Sequence, residues 1–365
     1  MGFQRRNTIK QMEHSNKMDD KMTGLIAGLL IGLIAGAGVM FVLNPAAGPA
    51  QYTITSSGST TVLPLSTEWS SQIGTYYPTF TFSATGGGSG QGQEDSALGL
   101  VDIGASSSYP KEDWRTANPD MHILPVALDA LAVVANPAVN TSGLKMDCDM
   151  VVAIYNGNVT TWEEFETTFA VEVDATGDIV VYGRSDASGT TATFAKWLET
   201  SDDTTNPNAN YVWGHGHDEA LAWPSHVQAV DGNPGVASAI GGDEASIGYV
   251  GFAFIGDLEP IWLYNPELDE YIEPTVANAL KALPTEITDP GVNLFNSDQA
   301  GAYPIARLLF YLVNPTGLKW YTIAFLNWAL TTGQQFVPDV GYVPITGTSA
   351  GSFAISVVQG MTPGV

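Results

Sequence analysis

The sequence predicts an α/β fold of two lobes, and two observations carry this prediction. Short β-prone runs, small-residue turns and helical segments alternate along residues 52–108, which is the order of an α/β sheet. Two apolar, β-prone segments, Leu124–Asn136 and Leu308–Asn314, bound a long central region that has strand and helix signals of its own. The chain is therefore expected to leave one lobe, build a second and return, and its 365 residues suffice for two cores.

The first elements follow one another in a regular order. Leu65, Trp69 and Ile73 share one face of the first predicted helix, so this face should be buried. The predicted strands are Tyr52–Thr55, Thr79–Ala84 and Val101–Gly104, and the predicted helices are Val62–Tyr77 and Gln93–Leu100.

Other apolar positions indicate packing rather than chemistry. A final helix is predicted near Leu318–Thr332. Its residues Tyr321, Phe325 and Trp328 have helical spacing, which predicts that they pack in the hydrophobic core. Cys148 is the only cysteine, so the chain has no disulfide framework, and a buried, inert thiol is expected there.

The amino-terminal region has the pattern of a membrane anchor. Residues Gly24 to Leu43 form an uncharged run of 20 residues behind a segment of net positive charge. The positive-inside rule then places residues 1–23 in the cytoplasm, 24–43 in the membrane as a signal anchor, and everything after the linker 44–51 outside. Cleavage near Ala46–Ala50 stays open, so the span is either a single-pass anchor or a removed signal.

The balance of charged residues indicates which class of partner the protein can have, and it leaves few cations in the part that is predicted to be exported. The 38 acidic residues outnumber 13 basic ones, a formal charge of -25, which argues against a nucleic-acid partner. Lobe 1 is predicted from 52–135 and 309–365, and lobe 2 from 136–308. Five basic residues precede the apolar run, so Arg184 is one of few cations in these lobes.

Four turns combine small residues with hydroxyls, and one of them carries an arginine. Such turns let backbone approach a ligand and supply short donors, while a helix start adds unpaired N–H groups. An arginine beside these turns adds a planar set of hydrogen-bond donors, and this combination of groups is suited to binding an oxyanion. The four turns are Gly58–Thr61, Gly86–Gly92, Ala105–Ser108 and Arg184–Thr191.

Other chemistries fit the sequence poorly. No glycine turn ends in Lys followed by Ser or Thr, which argues against a P-loop, and Gln91 breaks the dinucleotide-binding register. Neither Ser89 nor Ser188 has the flanking glycines of a serine hydrolase. His215 and His217 are two apart in a polar loop and read as surface residues rather than metal ligands. The sequence predicts no catalytic residue, no metal and no cofactor.

Several segments, in order, resemble the phosphate-binding protein of the phosphate-specific ABC transport system. The resemblance extends from about residue 52 to 347 and implies a two-lobed periplasmic-binding-protein fold of type II that closes by hinge motion. The segments are Gly58–Thr61, Gly88–Gly90, Val101–Ser106, Ile154–Gly157, Arg184–Thr190, Gly232–Val236, Ile247–Val250, Tyr303–Arg307 and Gly341–Pro344.

The resemblance also implies a set of ligand residues. Arg184 should make the main charge contact, Asp186 should fix its fork, and Gly88 should support the serine turn. The implied phosphate-binding residues are Ser59, Thr60, Thr61, Ser89, Ser107, Arg184, Ser188, Gly189 and Thr190.

One position departs from the family pattern. Many members carry an aspartate after the Gly-Ala-Ser turn, which accepts the proton of monohydrogen phosphate, whereas this chain has Ser107. A fixed carboxylate would reject fully ionised sulfate, but a hydroxyl can rotate to donate. Weaker discrimination against sulfate is therefore expected.

The sequence thus predicts an extracytoplasmic, monomeric receptor that captures inorganic phosphate and hands it to an ABC permease. Three alternatives stay open. The ligand could be another tetrahedral oxyanion, sulfate or arsenate; the protein could be an exported phosphatase that uses His215 and His217; or it could be an adhesion or signalling protein that only shares the fold.

Overall fold

The computed structural model of the chain describes residues 49–139, 143–202 and 211–364. The predicted cytoplasmic segment 1–23, the predicted membrane span 24–43 and most of the linker 44–51 lie outside this part. Within the described residues, no helix combines the length and the apolar character that a bilayer span requires.

A sheet of nine strands organises the molecule, in the order β2-β1-β3-β12-β4-β8-β6-β7 with β9 beside β4. β1 is parallel to β2 and β3, β6 is parallel to β7 and β8, and β4 and β12 run antiparallel to each other in the middle. The strands are β1 (Tyr52–Gly58), β2 (Phe80–Gly86), β3 (Ile103–Ser106), β4 (His122–Ala135), β5 (Lys145–Met146), β6 (Val180–Arg184), β7 (Val227–Val230), β8 (Ser246–Gly251), β9 (Glu259–Pro260), β10 (Trp262–Asn265), β11 (Glu270–Ile272) and β12 (Ala306–Val313).

Helices flank this sheet, and a small second sheet pairs β10 with β5 and β11. The helices are α1 (Leu63–Tyr76), α2 (Ser89–Ala97), α3 (Glu112–Ala117), α4 (Cys148–Asn156), α5 (Trp162–Phe169), α6 (Gly189–Leu198), α7 (Gly232–Gly241), α8 (Val276–Leu280), α9 (Trp320–Ala329) and α10 (Ser349–Gly360).

The first predicted elements are all present, with boundaries shifted by a few residues, most of all in α2. α2 begins at Ser89 rather than at Gln93, because the glycine-rich turn is shorter than predicted. Gly87 and Gly88 adopt φ values of 152° and 93°, and the helix starts directly after them. Ser89 therefore lies at a helix start and not within a loop.

The predicted final helix is present as α9, but it is not the last one. Phe325 and Trp328 are buried, as expected for a core stripe. α10 follows it, and its buried face consists of small or β-branched residues, Ala350, Ala354 and Val358, which give a weak helical pattern. The Thr348 hydroxyl accepts a hydrogen bond from the Gly351 N–H at 3.2 Å and caps this helix.

Two hydrophobic clusters define the two lobes. The cluster of lobe 1 contains Trp69 and Phe325, and that of lobe 2 contains Trp162 and Tyr249. Cys148 packs in the second cluster, and burial raises the pKa of its thiol far above the ordinary value, as suits an inert group.

The two central strands carry the chain between the lobes. On β4, Leu128 belongs to the first cluster and Ala130 to the second, so the chain passes between lobes at Asp129. On the return, Ile305 belongs to the second cluster and Ala306 to the first. The predicted range of lobe 2, 136–308, also includes residues whose side chains pack in the first cluster: Ala282, Ile287, Leu294 and Ala302.

Candidate anion-binding site

The site lies between the lobes, where three turns of lobe 1 meet one turn of lobe 2. Parallel strands present their carboxyl ends at the same edge of a sheet, which brings the turns after β1, β2 and β3 together. The turn after β6 reaches them from the second lobe. Direct contacts between the turns follow from this arrangement.

The turn after β1 supplies Ser59, Thr60 and Thr61. The Ser59 hydroxyl accepts hydrogen bonds from the N–H groups of Thr61 at 3.2 Å and Val62 at 3.3 Å, so its oxygen shapes the turn. Thr60 Oγ1 lies 3.1 Å from Nη2 of Arg184, and Thr61 Oγ1 lies 2.8 Å from Oγ1 of Thr190. Both threonines therefore face lobe 2.

The turns after β2 and β3 bring two serine hydroxyls together. Ser89 Oγ accepts a hydrogen bond from the Ser107 N–H at 3.0 Å and lies 3.2 Å from Ser107 Oγ. Gly88 has a φ of 93°, and a Cβ there would lie 2.3 Å from the carbonyl oxygen of Ala187, so only glycine fits this close approach between lobes.

Arg184 is the last residue of β6 and is almost wholly buried. Its Nε donates to Oδ1 of Asp186 at 2.7 Å, and its Nη2 donates to Oδ2 of the same carboxylate. Asp186 also accepts from the Gly232 N–H at 3.1 Å. Nη1 of Arg184 is buried and has no hydrogen-bond partner among the described residues.

The carboxylate of Asp186 keeps the arginine in place. Burial alone would raise the pKa of Asp186, but the hydrogen bonds and charge of Arg184 outweigh it and hold that pKa below its ordinary value. The ion pair thus persists at neutral pH, and the arginine fork has one orientation.

The turn after β6 ends in the first residues of α6. Ser188 is the N-cap, and its Oγ accepts from the N–H groups of Thr190 at 3.1 Å and Thr191 at 3.2 Å. A Cβ added to Gly189 would lie 2.5 Å from Ser89 Oγ and 2.7 Å from the Ser108 nitrogen. The helix start therefore rests directly against the serine turns of lobe 1.

The structure brings all the predicted ligand residues into one place, and it adds others. Arg307, Asp129 and Asn233 are buried in the same contact network but had no predicted role. Asp129 and Arg307 are single charges within strands that are otherwise apolar. That pattern was the available signal, because a buried charge needs a partner.

In the described part of the chain, His215 and His217 have contacts other than those of a metal centre. His217 Nδ1 lies 2.9 Å from Oε1 of Glu199, and the ring of His215 packs against Trp213 with centroids 4.7 Å apart. Among the described residues, no three side chains of His, Cys, Asp or Glu come together as metal ligands would.

A cavity of about 600 Å³ opens between the lobes beside Ser107 and Arg307. Its walls have cationic and acidic side chains in equal number, whereas the whole chain is strongly acidic. The cationic ones are Lys111, Arg115, Lys196 and Arg307, and the acidic ones are Glu112, Asp113, Glu219 and Asp289. An anion thus meets a less negative environment here than elsewhere on the surface.

Comparison with known proteins assigns the family. The model of a PBP superfamily domain matches residues 44–332, which is most of the chain. The chain belongs to the PBP superfamily. The match spans the four turns, so this PBP domain contains the whole candidate site.

Curated relatives carry the name that the sequence resemblance suggested, and the resemblance is confirmed. The PBP domain is similar to the phosphate-binding protein PstS of Haemophilus influenzae, with 29% identity over 273 residues that cover 71% of this chain and 78% of the relative. It is also similar to PstS of Methanocaldococcus jannaschii, with 26% identity, covering 79% of this chain and 80% of the relative.

Solved structures agree on the fold. A putative phosphate ABC transporter substrate-binding protein from Clostridium perfringens, with bound phosphate, superposes with a TM-score of 0.60 at 20% identity, covering 80% of this chain and all of that one. An ABC-type phosphate transport receptor from Vibrio cholerae gives 0.55 at 19% identity, covering 80% and 99%. The two-lobed PBP fold predicted for the chain is therefore confirmed.

Proposed function

We propose that the protein is an extracytoplasmic receptor that captures inorganic phosphate between its lobes and delivers it to an ABC permease. One observation carries this proposal. Arg184 is buried among hydroxyl groups of both lobes, and its Nη1 has no hydrogen-bond partner within the described residues. A buried guanidinium nitrogen with unused donors calls for an acceptor, and a tetrahedral oxyanion supplies one.

The surrounding donors support the same ligand. Gly189 at the start of α6 offers its backbone N–H, and helix starts favour negative charge. Thr60, Thr61 and Ser89 add hydroxyls from lobe 1. The names of the curated relatives, phosphate-binding protein PstS, point to the same anion.

The serine at position 107 sets the expected selectivity. The carboxylate of Asp186 is bonded to Arg184 through both oxygens, and that of Asp129 is bonded to Arg307 through Oδ2. From its position after the Gly-Ala-Ser turn, Ser107 is the hydroxyl that we propose as the acceptor of a proton on the ligand. Because a hydroxyl can also donate, we propose that sulfate binds more readily here than in an aspartate-containing site.

The remaining assignments follow from the sequence and the family. We place the lobes outside the cell membrane, tethered by the predicted span 24–43 or released by its cleavage, and assign the fold to type II. The receptor breaks no bond, since its task is to hold and release an anion. It acts as a monomer that meets the permease in its closed form.

Calorimetric titration of the purified full-length protein tests the proposal. Phosphate should bind with one site per chain, and native mass spectrometry should find phosphate as the anion that co-purifies. Tight binding of sulfate alone would reassign the ligand within the oxyanions. Absence of binding to phosphate, sulfate and arsenate would overturn the receptor role and favour a protein that only shares the fold.

A further inference from the structure

A second buried arginine lies at the boundary between the lobes. Arg307 on β12 is paired in register with Asp129 on β4, at the point where both strands cross from one lobe to the other. Arg307 Nε and Nη2 donate to Asp129 Oδ2 at 3.0 Å and 2.8 Å. Burial raises the pKa of Asp129, while the charge of Arg307 opposes that rise. Buried ion pairs are weak contributors to stability, so this one calls for another role.

Arg307 also reaches one threonine from each lobe. Its Nη1 donates to Oγ1 of Thr190 at 3.1 Å, and its Nη2 donates to Oγ1 of Thr61 at 3.4 Å. The two hydroxyl oxygens are themselves 2.8 Å apart. Arginine has no acceptor, so both hydroxyl oxygens must accept from it.

The direction of the remaining hydrogen of Thr61 follows from a second fixed donor. The amide oxygen of Asn233 accepts from the Gly251 N–H at 3.1 Å, which places its Nδ2 toward Thr61. Nδ2 donates to Thr61 Oγ1 at 2.8 Å. With both acceptor positions of that oxygen used by Asn233 and Arg307, the hydroxyl hydrogen of Thr61 points to Thr190.

Thr190 therefore has both acceptor positions filled as well, by Arg307 and by Thr61. No further acceptor for its hydroxyl lies within the described residues. The Thr60 hydroxyl also has both acceptor positions filled, since its Oγ1 accepts from Arg184 Nη2 at 3.1 Å and from Asn233 Nδ2 at 3.3 Å. Both hydroxyls can only donate to a ligand.

We propose that Arg307, held by Asp129, is a positioning residue for specificity: it directs the Thr61 and Thr190 hydroxyls so that Thr190 donates to an unprotonated oxygen of the bound anion. This inference rests on the proposed function. The proton of a bound monohydrogen phosphate is then expected on the side of Ser89 and Ser107, whose hydroxyls receive no hydrogen bond from an arginine of the described residues.

A double-mutant cycle tests this role. Replacing the pair as R307Q/D129N leaves no buried charge without its partner, and Thr190→Val removes one hydroxyl at nearly constant volume. In the unchanged protein, Thr190→Val should weaken phosphate binding by about tenfold or more, because a donor to a charged group is lost. In the R307Q/D129N background the same change should weaken binding by less than about threefold.

Thr191→Val provides the matched control. Thr191 lies on the same helix, and its hydroxyl is 2.6 Å from the Tyr249 hydroxyl, away from Arg307. Thr191→Val should weaken phosphate binding by the same factor in the unchanged protein and in the R307Q/D129N background. Equal losses on Thr190→Val in both backgrounds would overturn the role of Arg307.

Two further measurements test the role of Arg307 if the double variant does not fold or if phosphate does not bind. Arg307→Lys retains the charge opposite Asp129 but lacks the fork that reaches both threonines, so it should lose the coupling to Thr190 even if R307Q/D129N does not fold. Thermal unfolding of the ligand-free variants measures the Arg307 and Thr190 coupling without phosphate. Absence of phosphate binding in the unchanged protein would contradict the proposed function alone, whereas additive shifts in melting temperature would contradict the role of Arg307.

Discussion

At the scale of single residues, the two buried arginines have different tasks. Arg184 has an unpartnered nitrogen and a carboxylate that holds its fork, so it can contact the anion directly. Arg307 has every nitrogen engaged by protein groups and can act on the ligand only through the threonines. The charges of both arginines are balanced by aspartates, buried Asp129 and partly buried Asp186, so the site attracts its ligand by directed donors rather than by net charge.

Arg184→Ala should weaken phosphate binding more than Ser89→Ala. A donor that carries charge contributes about 1.5–3 kcal/mol and a neutral one about 0.5–1.5 kcal/mol, so the expected losses differ by roughly tenfold. Calorimetric titration of both variants provides the comparison. Lys319→Ala, which removes an exposed cation from lobe 1, is the control for global charge and should bind as the unchanged protein does. Equal losses for Arg184 and Ser89 would count against the ranking.

Ser107→Asp should sharpen the selectivity of the site. A carboxylate at this position can only accept, so it pairs with protonated phosphate and faces sulfate without a shared hydrogen. The ratio of sulfate to phosphate dissociation constants should rise by about tenfold or more, in line with the penalty for unpaired acceptors. Competition of the two anions in one titration measures this ratio. If the unchanged protein binds no sulfate at millimolar concentration, its expected weak discrimination is wrong.

At the scale of elements, the start of α6 is both a donor set and a contact surface. Ser188 caps the helix, and Gly189 allows the helix to approach the serine turns of lobe 1. The helix can present its start to an anion between the lobes only if this approach is close. Residue 189 must therefore be glycine, because a Cβ would not fit between the helix and these turns.

Gly189→Ala should lower phosphate affinity strongly and leave the ligand-free fold intact. The added Cβ would lie 2.7 Å from the Ser108 nitrogen, a backbone atom that cannot rotate away, so the lobes could not close fully. Binding should weaken by about a hundredfold, consistent with the 1–3 kcal/mol that overpacking costs. Gly235→Ala is the matched control, since its Cβ would meet nothing nearer than 3.8 Å. Unchanged affinity in the Gly189 variant would show that the lobes close without this contact.

At the scale of the whole molecule, a carboxylate of lobe 2 bonds to lobe 1 at the rim of the site. Glu219 Oε1 accepts from Gln93 Nε2 at 2.8 Å and from the Ser108 hydroxyl. Burial raises the pKa of Glu219, and the hydrogen bonds from Ser108 and Gln93 offset only part of that rise. Closure therefore favours the protonated form of this residue.

Glu219→Gln should change the pH dependence of binding. Because the pKa of Glu219 is raised in the closed form, this residue stabilises closure fully when the pH is below its ordinary pKa of 4.5. That stabilisation is lost as the pH rises through the raised pKa of the closed form. The glutamine oxygen can accept both hydrogen bonds without the charge, so the variant should bind phosphate more tightly than the unchanged protein at pH 8.

The difference between the two proteins should disappear near pH 4, where Glu219 is protonated in both the open and the closed forms. The ratio of their affinities cancels the ionisation of phosphate itself, so titrations at both pH values suffice. A variant that binds more weakly at every pH would mean that the negative charge of Glu219 stabilises closure.

The sequence by itself determined what depends on neighbours along the chain. Alternating strands and small-residue turns predicted the α/β fold, the turn from Arg184 to Thr190 predicted its helix start, and its family resemblance implied the ion pair with Asp186. These features rest on contacts a few residues apart. The α10 helix escaped prediction because its buried face is made of small side chains, whose hydrophobic pattern is weak.

Only the tertiary structure decided how the donors of the site are directed. Arg307 meets Thr61 and Thr190 across 246 and 117 residues of sequence, and the amide of Asn233 on α7 is oriented by the backbone of Gly251 on β8. The direction in which a hydroxyl donates depends on which groups already occupy its acceptor positions. Those groups come from both lobes and from the strands between them, so no local pattern in the sequence could reveal the direction of donation.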